Sequence, residues 1–539
     1  MAASSRESLS GAGWQDQEPG TYRELMPARV EKLSWLNPGT LWKARNGPLA
    51  SLFGDPTGRD RSRWVAAEAA RRGGTDTGAA AGSDPAAAAD SRSGADPADD
   101  LVIARDDPDT FSFLLIGDTG EGDGPQYAVI PGLLEAGAGT RFAVVCSDVL
   151  YPVGNANEYG PKFFRPYRDY AAPIYAIPGN HDWYDGLTGF MRVFCRAPAL
   201  PPAPRPRPLT AAWWRTLLWA SPQTPDDARL DEERLLRGAP SQQASQPGPY
   251  WAIDAGPLRI VGIDTGLLGD IDREQGDWLR RVSAGDRPKI LVTGSPIYVD
   301  GEHHPCAIEG GGTVDEIVTD PAHHYVAAIG GDIHNYQHYP VDVAGRRIEY
   351  VVSGGGGAFM HATHTIPRVD IGGVTEENFR CYPLRGDSLA FYSRLYGRRL
   401  RLRKLFDLHP DEASAVVARR LGTTPVRSPG AVGPSGSAGT PGRRARFVAS
   451  VLGVPPRPQR RGRVRLPVRK TLTGLLSPAS ATYDPPFFKS FLRLDVSPGA
   501  VRVRCFAATG MLGQEQDPPV EDEFTITLPT PTQERPRGH

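Results

Sequence analysis

Seven short runs of branched apolar residues, all between residues 110 and 365, constrain the fold more than any other feature of the sequence. Each run has the length of one buried strand, and the segments between them leave room for helices. The runs are TFSFLLIGD, RFAVVCSD, IYAIPGNHD, LRIVGIDT, KILVTGSP, YVAAIGGD and IEYVVSGGGG. Because continuous apolar runs indicate strands covered on both faces, the sequence predicts an α/β domain.

Most of these runs end in glycine followed by a polar or charged residue. In open α/β sheets the ligand site lies beyond the carboxyl ends of the strands, so we expect these loops to converge. The polar positions are Asp118 in GDTGEGD, Asp148 and Tyr151 in SDVLYPVG, Asn180 and His181 in GNHDWY, Glu302, His303 and His304 in DGEHHP, and Asp332 and His334 in GDIHNYQHY. Carboxylate, amide, phenol and imidazole groups form a ligand set for a metal pair.

Each stretch alone also has a purely structural explanation. A Gly-Asp after a strand is common, and GNHD can form an Asx-type turn that caps the following helix. Eight of the eleven histidines, however, fall between residues 303 and 364, several of them beside glycine or aspartate. This concentration favours the metal-site interpretation.

The order of the stretches resembles the calcineurin-like metallophosphoesterases, and within them the purple acid phosphatases, including the tartrate-resistant type. The family pattern runs D-x-G, G-D-x-x-Y, G-N-H-D/E, a Gly-His segment and G-H-x-H. This chain supplies GDTG, SDVLY, GNHD, TGSPIYVDGEHHP and GDIHNYQHY over roughly residues 110–360. The resemblance implies a four-layer α/β/β/α sandwich with metals at the strand ends.

The resemblance implies two metal ions, iron together with zinc, manganese or a second iron. The first metal would be held by Asp118, Tyr151 and His334, with Asp148 bridging to the second. In the purple acid phosphatases, a tyrosine three residues after the bridging aspartate is an iron(III) ligand that gives the colour.

The second metal site departs from the family pattern. Asn180 is present, but the other two family positions correspond here to Gly294 and Asp332. Asp332 could still bind a metal through oxygen, and it is the preferred replacement ligand. His361 or His364, just downstream, is the alternative.

The activity implied is metal-dependent hydrolysis of a phosphoric ester by a metal-bound hydroxide, with a monoester favoured and a small molecule or a macromolecule as the phosphorylated substrate. His181, with His303 or His304, would stabilise the phosphoryl group and protonate the leaving oxygen, while Asp182 would orient His181. The alternative is a weak or inactive relative that binds a phosphorylated ligand or partner, as the altered second site suggests.

Composition along the chain predicts five regions. They are an N-terminal helical extension (1–73), a disordered linker (74–109), the catalytic domain (110–390), a basic and partly disordered insertion (391–480), and a C-terminal β-hairpin that packs on the catalytic domain (481–530). The linker prediction depends on the near absence of large apolar residues after residue 73, and RDRSRWVAAEAARR and HPDEASAVVARRLG are predicted helices.

The net charge of −1 conceals a strong asymmetry. Residues 391–470 contain 19 Lys and Arg against 3 Asp and Glu, which leaves the remainder of the chain acidic. This segment is either a solvated insertion or a contact for an anionic membrane or another polyanion. Since no nucleic-acid-binding motif accompanies the charge, we expect no specific nucleic-acid recognition.

The sequence shows neither a membrane-spanning run nor a signal peptide. The five cysteines include no C-x-x-C pair, a pattern that suits a reducing compartment. We therefore expect a cytoplasmic protein.

Overall fold

A computed structural model describes residues 18–28, 37–76, 101–200, 208–220, 222–426, 441–456 and 485–529. The helices are α1 (Tyr22–Leu25), α2 (Pro38–Lys43), α3 (Asn46–Phe53), α4 (Thr57–Asp76), α5 (Gly124–Ala136), α6 (Thr188–Phe194), α7 (Ala211–Leu218), α8 (Asp227–Arg234), α9 (Arg273–Ser283), α10 (Val314–Thr319), α11 (Arg385–Arg399), α12 (Arg403–Phe406), α13 (Pro410–Leu421) and α14 (Arg443–Val451).

The strands are β1 (Val102–Ala104), β2 (Phe111–Ile116), β3 (Ala143–Val145), β4 (Ile174–Ala176), β5 (Trp251–Ala255), β6 (Leu258–Ile263), β7 (Lys289–Thr293), β8 (Tyr298–Val299), β9 (Glu302–His303), β10 (Tyr325–Gly330), β11 (Tyr336–Val343), β12 (Arg346–Ser353), β13 (Asp370–Ile371), β14 (Val374–Thr375), β15 (Arg380–Tyr382), β16 (Lys489–Ser497), β17 (Ala500–Ala508) and β18 (Val520–Thr527).

Two mixed sheets form the body of the described chain. The larger has the strand order β1-β5-β6-β7-β10-β12-β11-β15, and the smaller has the order β18-β17-β16-β2-β3-β4. Strands β2, β3 and β4 run parallel, as do β6, β7, β10 and β12. The carboxyl ends of several strands in each sheet therefore open at one edge, where the polar loops lie.

The alternation of side chains along the strands builds four layers. In β2, Phe113 and Leu115 join the core between the two sheets, whereas Leu114 and Ile116 pack outward with residues of α5. The outer face of the larger sheet is covered by α9 and α10, which share a third core with β6 and β7. The predicted α/β/β/α sandwich is thus confirmed.

All seven apolar runs form strands, which are β2, β3, β4, β6, β7, β10 and β12. The expected C-terminal hairpin is present as β16 and β17, but it is not an appendage. Strand β16 pairs with β2 along five residues, and β18 extends the same sheet. The C-terminus therefore supplies half of the smaller sheet.

The predicted boundaries at residues 73 and 390 fall inside α4 and α11. Strand β1 lies within the predicted linker and pairs with β5, while residues 77–100 of that linker are outside the described residues. Helix α11 crosses the boundary at residue 390. Helices α11, α13 and α14 bury Tyr392, Val416 and Val448 in the central core, so part of the basic region belongs to the folded body.

The described residues include neither a membrane-spanning helix nor a disulfide. In the described ranges, no helix is both long and apolar enough to cross a membrane. All five cysteines are described and unpaired. The cytoplasmic location and the polyanion contact through residues 391–470 stay predictions.

A buried arginine ties α4 to the sandwich. Arg61 Nε lies 2.8 Å from Asp264 Oδ2, and a second nitrogen of the same guanidinium contacts Asp272. Asp264 also accepts a hydrogen bond of 2.9 Å from Trp183 Nε1, in the loop after β4. Trp64 of α4 donates to the Gly186 carbonyl at 3.0 Å. Helix α4 thus holds the GNHDWYDG loop in place through these contacts.

Replacing Arg61 by alanine should destabilise the protein by about 3–5 kcal/mol, because it leaves Asp264 and Asp272 buried without their cation. Arg59→Ala is the matched control, since Arg59 pairs with Asp60 at the surface and should cost less than about 1 kcal/mol. Urea denaturation gives both free energies of unfolding. Equal small losses would mean that Arg61 does not stabilise the fold.

A buried charged cluster joins the two sheets. His338 of β11 contacts Glu349 Oε2 of β12 and Asp522 Oδ2 of β18, each at 2.9 Å. Tyr336 donates to the same Asp522 oxygen at 2.6 Å. Burial alone would lower the pKa of His338, but the hydrogen bonds to the two carboxylates raise it above the ordinary value. The imidazolium form is therefore the one stabilised by folding.

A raised folded-state pKa means that the stability contributed by His338 is full below about pH 6.5 and is lost as the pH rises through the folded-state value. The loss in unfolding free energy caused by His338→Gln should therefore be larger at about pH 6 than at about pH 9. His409→Gln, at an exposed position, controls for a general histidine effect. A loss that is independent of pH would contradict the assignment.

Candidate metal centre

Loops from both sheets meet around the hydroxyl group of Tyr151. Its Oη lies 2.9 Å from Asp118 Oδ1, 2.8 Å from Asp148 Oδ2 and 2.9 Å from His334 Nε2. Asp118 follows β2, Asp148 and Tyr151 follow β3, and His334 follows β10, so three strand ends contribute. All four side chains are buried. The structure thus brings together the residues predicted for the first metal.

The surroundings of His334 fix which ring nitrogen faces the cluster. Its Nδ1 donates to the Phe359 carbonyl at 2.6 Å, so Nε2 carries the lone pair that points toward Tyr151. His361 stacks on the ring with the centroids 4.3 Å apart, and its Nδ1 accepts the His334 backbone N–H at 3.0 Å. Burial lowers the pKa of His334 well below the ordinary value. A neutral imidazole held in this way is the usual form of a metal ligand.

The backbone at this edge is unusual. Asp118 and Asp332 have φ values of +57° and +65°, in the left-handed region that non-glycine residues seldom adopt. Gly331 and Gly354 approach so closely that a Cβ atom on them would lie 2.9 Å and 2.6 Å from Asp118 Oδ2. Glycine at these two positions therefore leaves the space that the carboxylate occupies.

The carboxylates of the cluster repel one another. Burial raises the pKa of Asp118 well above its ordinary value, and the charges of Asp148 and Asp332 raise it further. Burial and the charge of Asp332 also raise the pKa of Asp148 to about 8. The buried Lys489, which donates to the Ala358 carbonyl, is a cation close enough to feel the charge of Asp118. Additional positive charge here would stabilise the ionised aspartates.

The donor atoms match a metal ion in kind. Asp118 Oδ2 and Asn180 Oδ1 are buried and find no hydrogen-bond partner of ordinary geometry among the described residues. Oxygen donors with one imidazole nitrogen suit iron, zinc or manganese. In the described ranges, however, no group of three or more His, Cys, Asp and Glu side chains stands in an arrangement that could hold a metal ion. The atoms instead converge on Tyr151 Oη as a hydrogen-bonded cluster.

The structure shows the surroundings of the residues considered for the second metal. A Cβ atom on Gly294 would lie 2.7 Å from Thr265 Oγ1, so a side chain at this position would require Thr265 to shift. Asp332 and Asn180 are partly exposed at the same edge as the cluster. His364 is buried elsewhere, with its ring nitrogens 2.8 Å from Ser388 Oγ and 3.0 Å from the Leu452 carbonyl. These contacts give His364 a structural position and not a ligand position.

His181 lies against the cluster. Its backbone N–H donates to Asp148 Oδ1 at 2.7 Å, and its ring centroid is 4.5 Å from that of Tyr151. The ring Nδ1 donates to the Pro152 carbonyl at 2.8 Å, which leaves Nε2 as the unprotonated nitrogen. Burial lowers the pKa of His181 to about 4, so the ring is neutral near pH 7.

The Asp182 carboxylate contacts the backbone of two neighbouring loops. Its Oδ2 accepts the backbone N–H groups of Val149 at 3.0 Å and Gly179 at 3.1 Å. It therefore joins the loop after β3 to the loop after β4. The Pro152 carbonyl accepts a hydrogen bond from the His181 ring, and the orienting role expected of Asp182 stays a prediction.

The structure does not bring His303 and His304 to the cluster. His303 Nε2 lies 2.8 Å from Asp315 Oδ2, and its ring stacks on Tyr298 with the centroids 4.6 Å apart. His304 Nε2 is 3.8 Å from Glu302 Oε2. The short β8–β9 hairpin is tied in this way to α10 on the outer side of the larger sheet.

Sequence reasoning missed two residues beside the cluster. Lys489 opens β16, more than 300 residues from Asp118 along the chain, and no local signal marks it. Glu121 accepts the Phe359 backbone N–H at 3.3 Å and thereby links the GEGD loop to the segment that orients His334. The acidic character of GDTGEGDG was a signal for Glu121.

No protein-family model and no curated protein matches the chain. Solved structures resemble it weakly, and each of the following covers 78% of the chain. A purple acid phosphatase, PPD1, from yellow lupin (Lupinus luteus) seeds has 11% identity and a TM-score of 0.34, and the chain spans 54% of its length. GAP50, the anchor in the inner membrane complex of Plasmodium, has 8% identity, a TM-score of 0.33 and 90% of its length covered. PhoD has 9% identity, a TM-score of 0.31 and 70% covered.

Replacing Asp332 by asparagine should stabilise the metal-free protein by about 1 kcal/mol, because one negative charge leaves the neighbourhood of Asp118 and Asp148. Asparagine tolerates the left-handed backbone of this position. In urea denaturation with a chelator at about pH 8, where the aspartates carry more charge, the variant should exceed the wild type. Added Mn²⁺ or Zn²⁺ should then stabilise the wild type more than the variant.

Asp277→Asn is the control for this experiment, since Asp277 is an exposed surface partner of Arg280. Its stability should follow that of the wild type with and without metal. A metal-free Asp332→Asn protein less stable than the wild type would show that repulsion among the carboxylates is not the dominant interaction there.

Proposed function

We propose that this protein hydrolyses a phosphoric ester, with a monoester favoured, using metal ions held by Asp118, Asp148, Tyr151 and His334. The convergence of these four side chains on one point at the shared edge of two sheets carries the proposal. Asp118 follows β2 and Asp148 and Tyr151 follow β3 in the smaller sheet, whereas His334 follows β10 in the larger sheet, so the arrangement depends on both sheets.

Tyr151 would change its role when a metal is bound. In the structure its hydroxyl lies within hydrogen-bond distance of Asp118, Asp148 and His334, and burial raises the pKa of Tyr151 well above the ordinary value. A cation beside the phenol would favour loss of that proton, which would leave oxygen and nitrogen donors facing the ion. Bound metal ions lower the pKa of water and neutralise phosphate oxygens in such sites.

Asn180 and Asp332 would hold a second ion. Asn180 offers a buried oxygen without a partner, and Asp332 carries a charge that acts on both Asp118 and Asp148. Since Gly294 contributes no side chain, this second site would have fewer protein ligands than the first. We therefore propose that it binds its ion more weakly.

His181 would act on the phosphoryl group. Its ring is neutral near pH 7 in the absence of an anion, and the Pro152 carbonyl holds Nδ1 so that Nε2 is the nitrogen that can gain a proton. An anionic ester beside the ring would raise the pKa of His181, which would let it protonate the leaving oxygen. We assign no proton transfer to His303 or His304, whose rings contact Asp315, Tyr298 and Glu302.

Asp148→Asn and His334→Ala should each lower the metal-dependent hydrolysis of p-nitrophenyl phosphate by at least about 100-fold, since each removes a donor of the first site. His409→Ala, at a surface position, should keep wild-type turnover. Hydrolysis by either site variant at the wild-type rate would rule out the proposed centre.

If the first ion is iron(III), the protein should show a visible charge-transfer band that comes from Tyr151. The Tyr151→Phe variant, loaded with iron in the same way, should lose that band while its far-ultraviolet circular dichroism stays unchanged. A band that persists in the variant would mean that Tyr151 is not an iron ligand.

Gly294 supports a second candidate function. If the second ion does not bind, the fold would serve to bind a phosphorylated ligand or partner without turning it over. Calorimetry with inorganic phosphate and one equivalent of metal separates the two candidates: phosphate binding without hydrolysis of any ester would favour the binding protein.

A further inference from the structure

Three short helices of the described chain expose large apolar side chains. Helices α2, α3 and α7 carry Leu41, Trp42, Leu52, Trp214 and Leu217, which are 55%, 64%, 74%, 42% and 61% exposed. We call this surface the helical patch. Isolated exposed leucines are ordinary in folded proteins, but two tryptophans and three leucines on neighbouring helices form an apolar surface that calls for an explanation.

The three helices form one unit. Helix α3 contacts α7, and Arg45, in the short connection between α2 and α3, donates to the Leu218 carbonyl at 2.7 Å. Arg215 of α7 donates to the Gly54 carbonyl at 2.6 Å, just beyond the end of α3. The Arg45 guanidinium also lies over the ring of Trp42, 4.2 Å from its centroid. These contacts keep the patch together.

The charge of the helical patch has one sign. Residues 37–54 and 208–219 include Lys43, Arg45 and Arg215 and contain no aspartate or glutamate. Asp55 and Asp60 follow α3 along the chain, and their charges act on Arg215. Asp55 caps the start of α4, and Asp60 pairs with Arg59, so both are engaged beside the patch.

We propose that the helical patch docks on an anionic lipid bilayer. Tryptophan and leucine side chains partition into the interface between head groups and acyl chains, where the amphipathic indole is especially favoured. Basic residues at the edge of the patch add electrostatic attraction to anionic head groups, and no carboxylate within the patch opposes it. The apolar and basic side chains of the helical patch therefore complement the acyl chains and the anionic head groups of such a bilayer.

Docking would place the GNHDWYDG loop beside the membrane. Asn46 of α3 is buried, donates to the Tyr184 carbonyl at 2.7 Å, and accepts the Ala220 backbone N–H at 2.8 Å. The Tyr184 ring in turn lies 4.7 Å from that of His181. A series of contacts therefore joins the helical patch to the edge of the candidate metal centre. The proposal itself depends on surface chemistry alone and does not require the proposed hydrolysis.

Sedimentation of the full-length protein with phospholipid vesicles tests the proposal. Vesicles of phosphatidylcholine alone are compared with vesicles that contain about 30% phosphatidylserine, and salt is varied from about 50 to about 300 mM. Wild-type protein should bind the anionic vesicles, and binding should weaken as salt rises. A Trp42→Ser, Leu52→Ser, Trp214→Ser variant should bind at least about tenfold more weakly.

A matched control removes exposed leucines from other surfaces. Leu235, Leu268 and Leu512 are 76%, 47% and 40% exposed, and their replacement by serine should leave vesicle binding unchanged. Circular dichroism should show that both triple variants are folded. If the patch variant is not folded, the Lys43→Gln variant tests the same surface, because it removes one positive charge from it. This variant should bind anionic vesicles more weakly than the wild type at low salt.

Three results would overturn the proposal. The first is wild-type protein that does not bind anionic vesicles at low salt. The second is a patch variant that binds as tightly as the wild type, which would assign binding to residues 391–470. The third result is a wild-type dimer in light scattering that the patch variant converts to a monomer, because the helical patch would then bind a second copy of the chain.

Discussion

The structure depends on the placement of acidic side chains in its interior, where the ends of two sheets meet. Asp118 and Asp148 are buried, and with Asp332 nearby the three carboxylates repel one another. The Tyr151 hydroxyl, which contacts both of the buried aspartates and His334, holds the centre of the cluster. Such an arrangement is costly for a fold unless a cation compensates for the charge, and the metal-centre proposal follows from that imbalance.

Much of the remaining architecture positions this cluster. Glycines at 331 and 354 allow the backbone to approach Asp118, and the Phe359 carbonyl selects the tautomer of His334. The N-terminal helix α4 holds the loop after β4 through Arg61 and Trp64. Strand β16, from the far end of the chain, brings Lys489 beside the acidic loop. Distant segments thus contribute to one small volume at the edge of the sandwich.

The sequence predicted the seven strands and the cluster of Asp118, Asp148, Tyr151 and His334. Each signal was local, because a run of branched residues was followed by a polar turn. It did not predict β1, β18 or the incorporation of β16 into the sheet, because strand pairing depends on partners far along the chain. The contacts of the Asp182 carboxylate could not be predicted for a related reason. One oxygen of the carboxylate accepts hydrogen bonds from two backbone N–H groups, and only the folded loops bring those groups together.

Elemental analysis of the purified protein, after exposure to iron, zinc and manganese and removal of loosely bound ions, tests the account most directly. The account predicts at least one tightly held metal ion per chain, with a second equivalent that is lost more readily. A protein that retains no metal would contradict it, because the buried aspartates would then be stabilised by the hydrogen bonds of Tyr151 and by protonation alone.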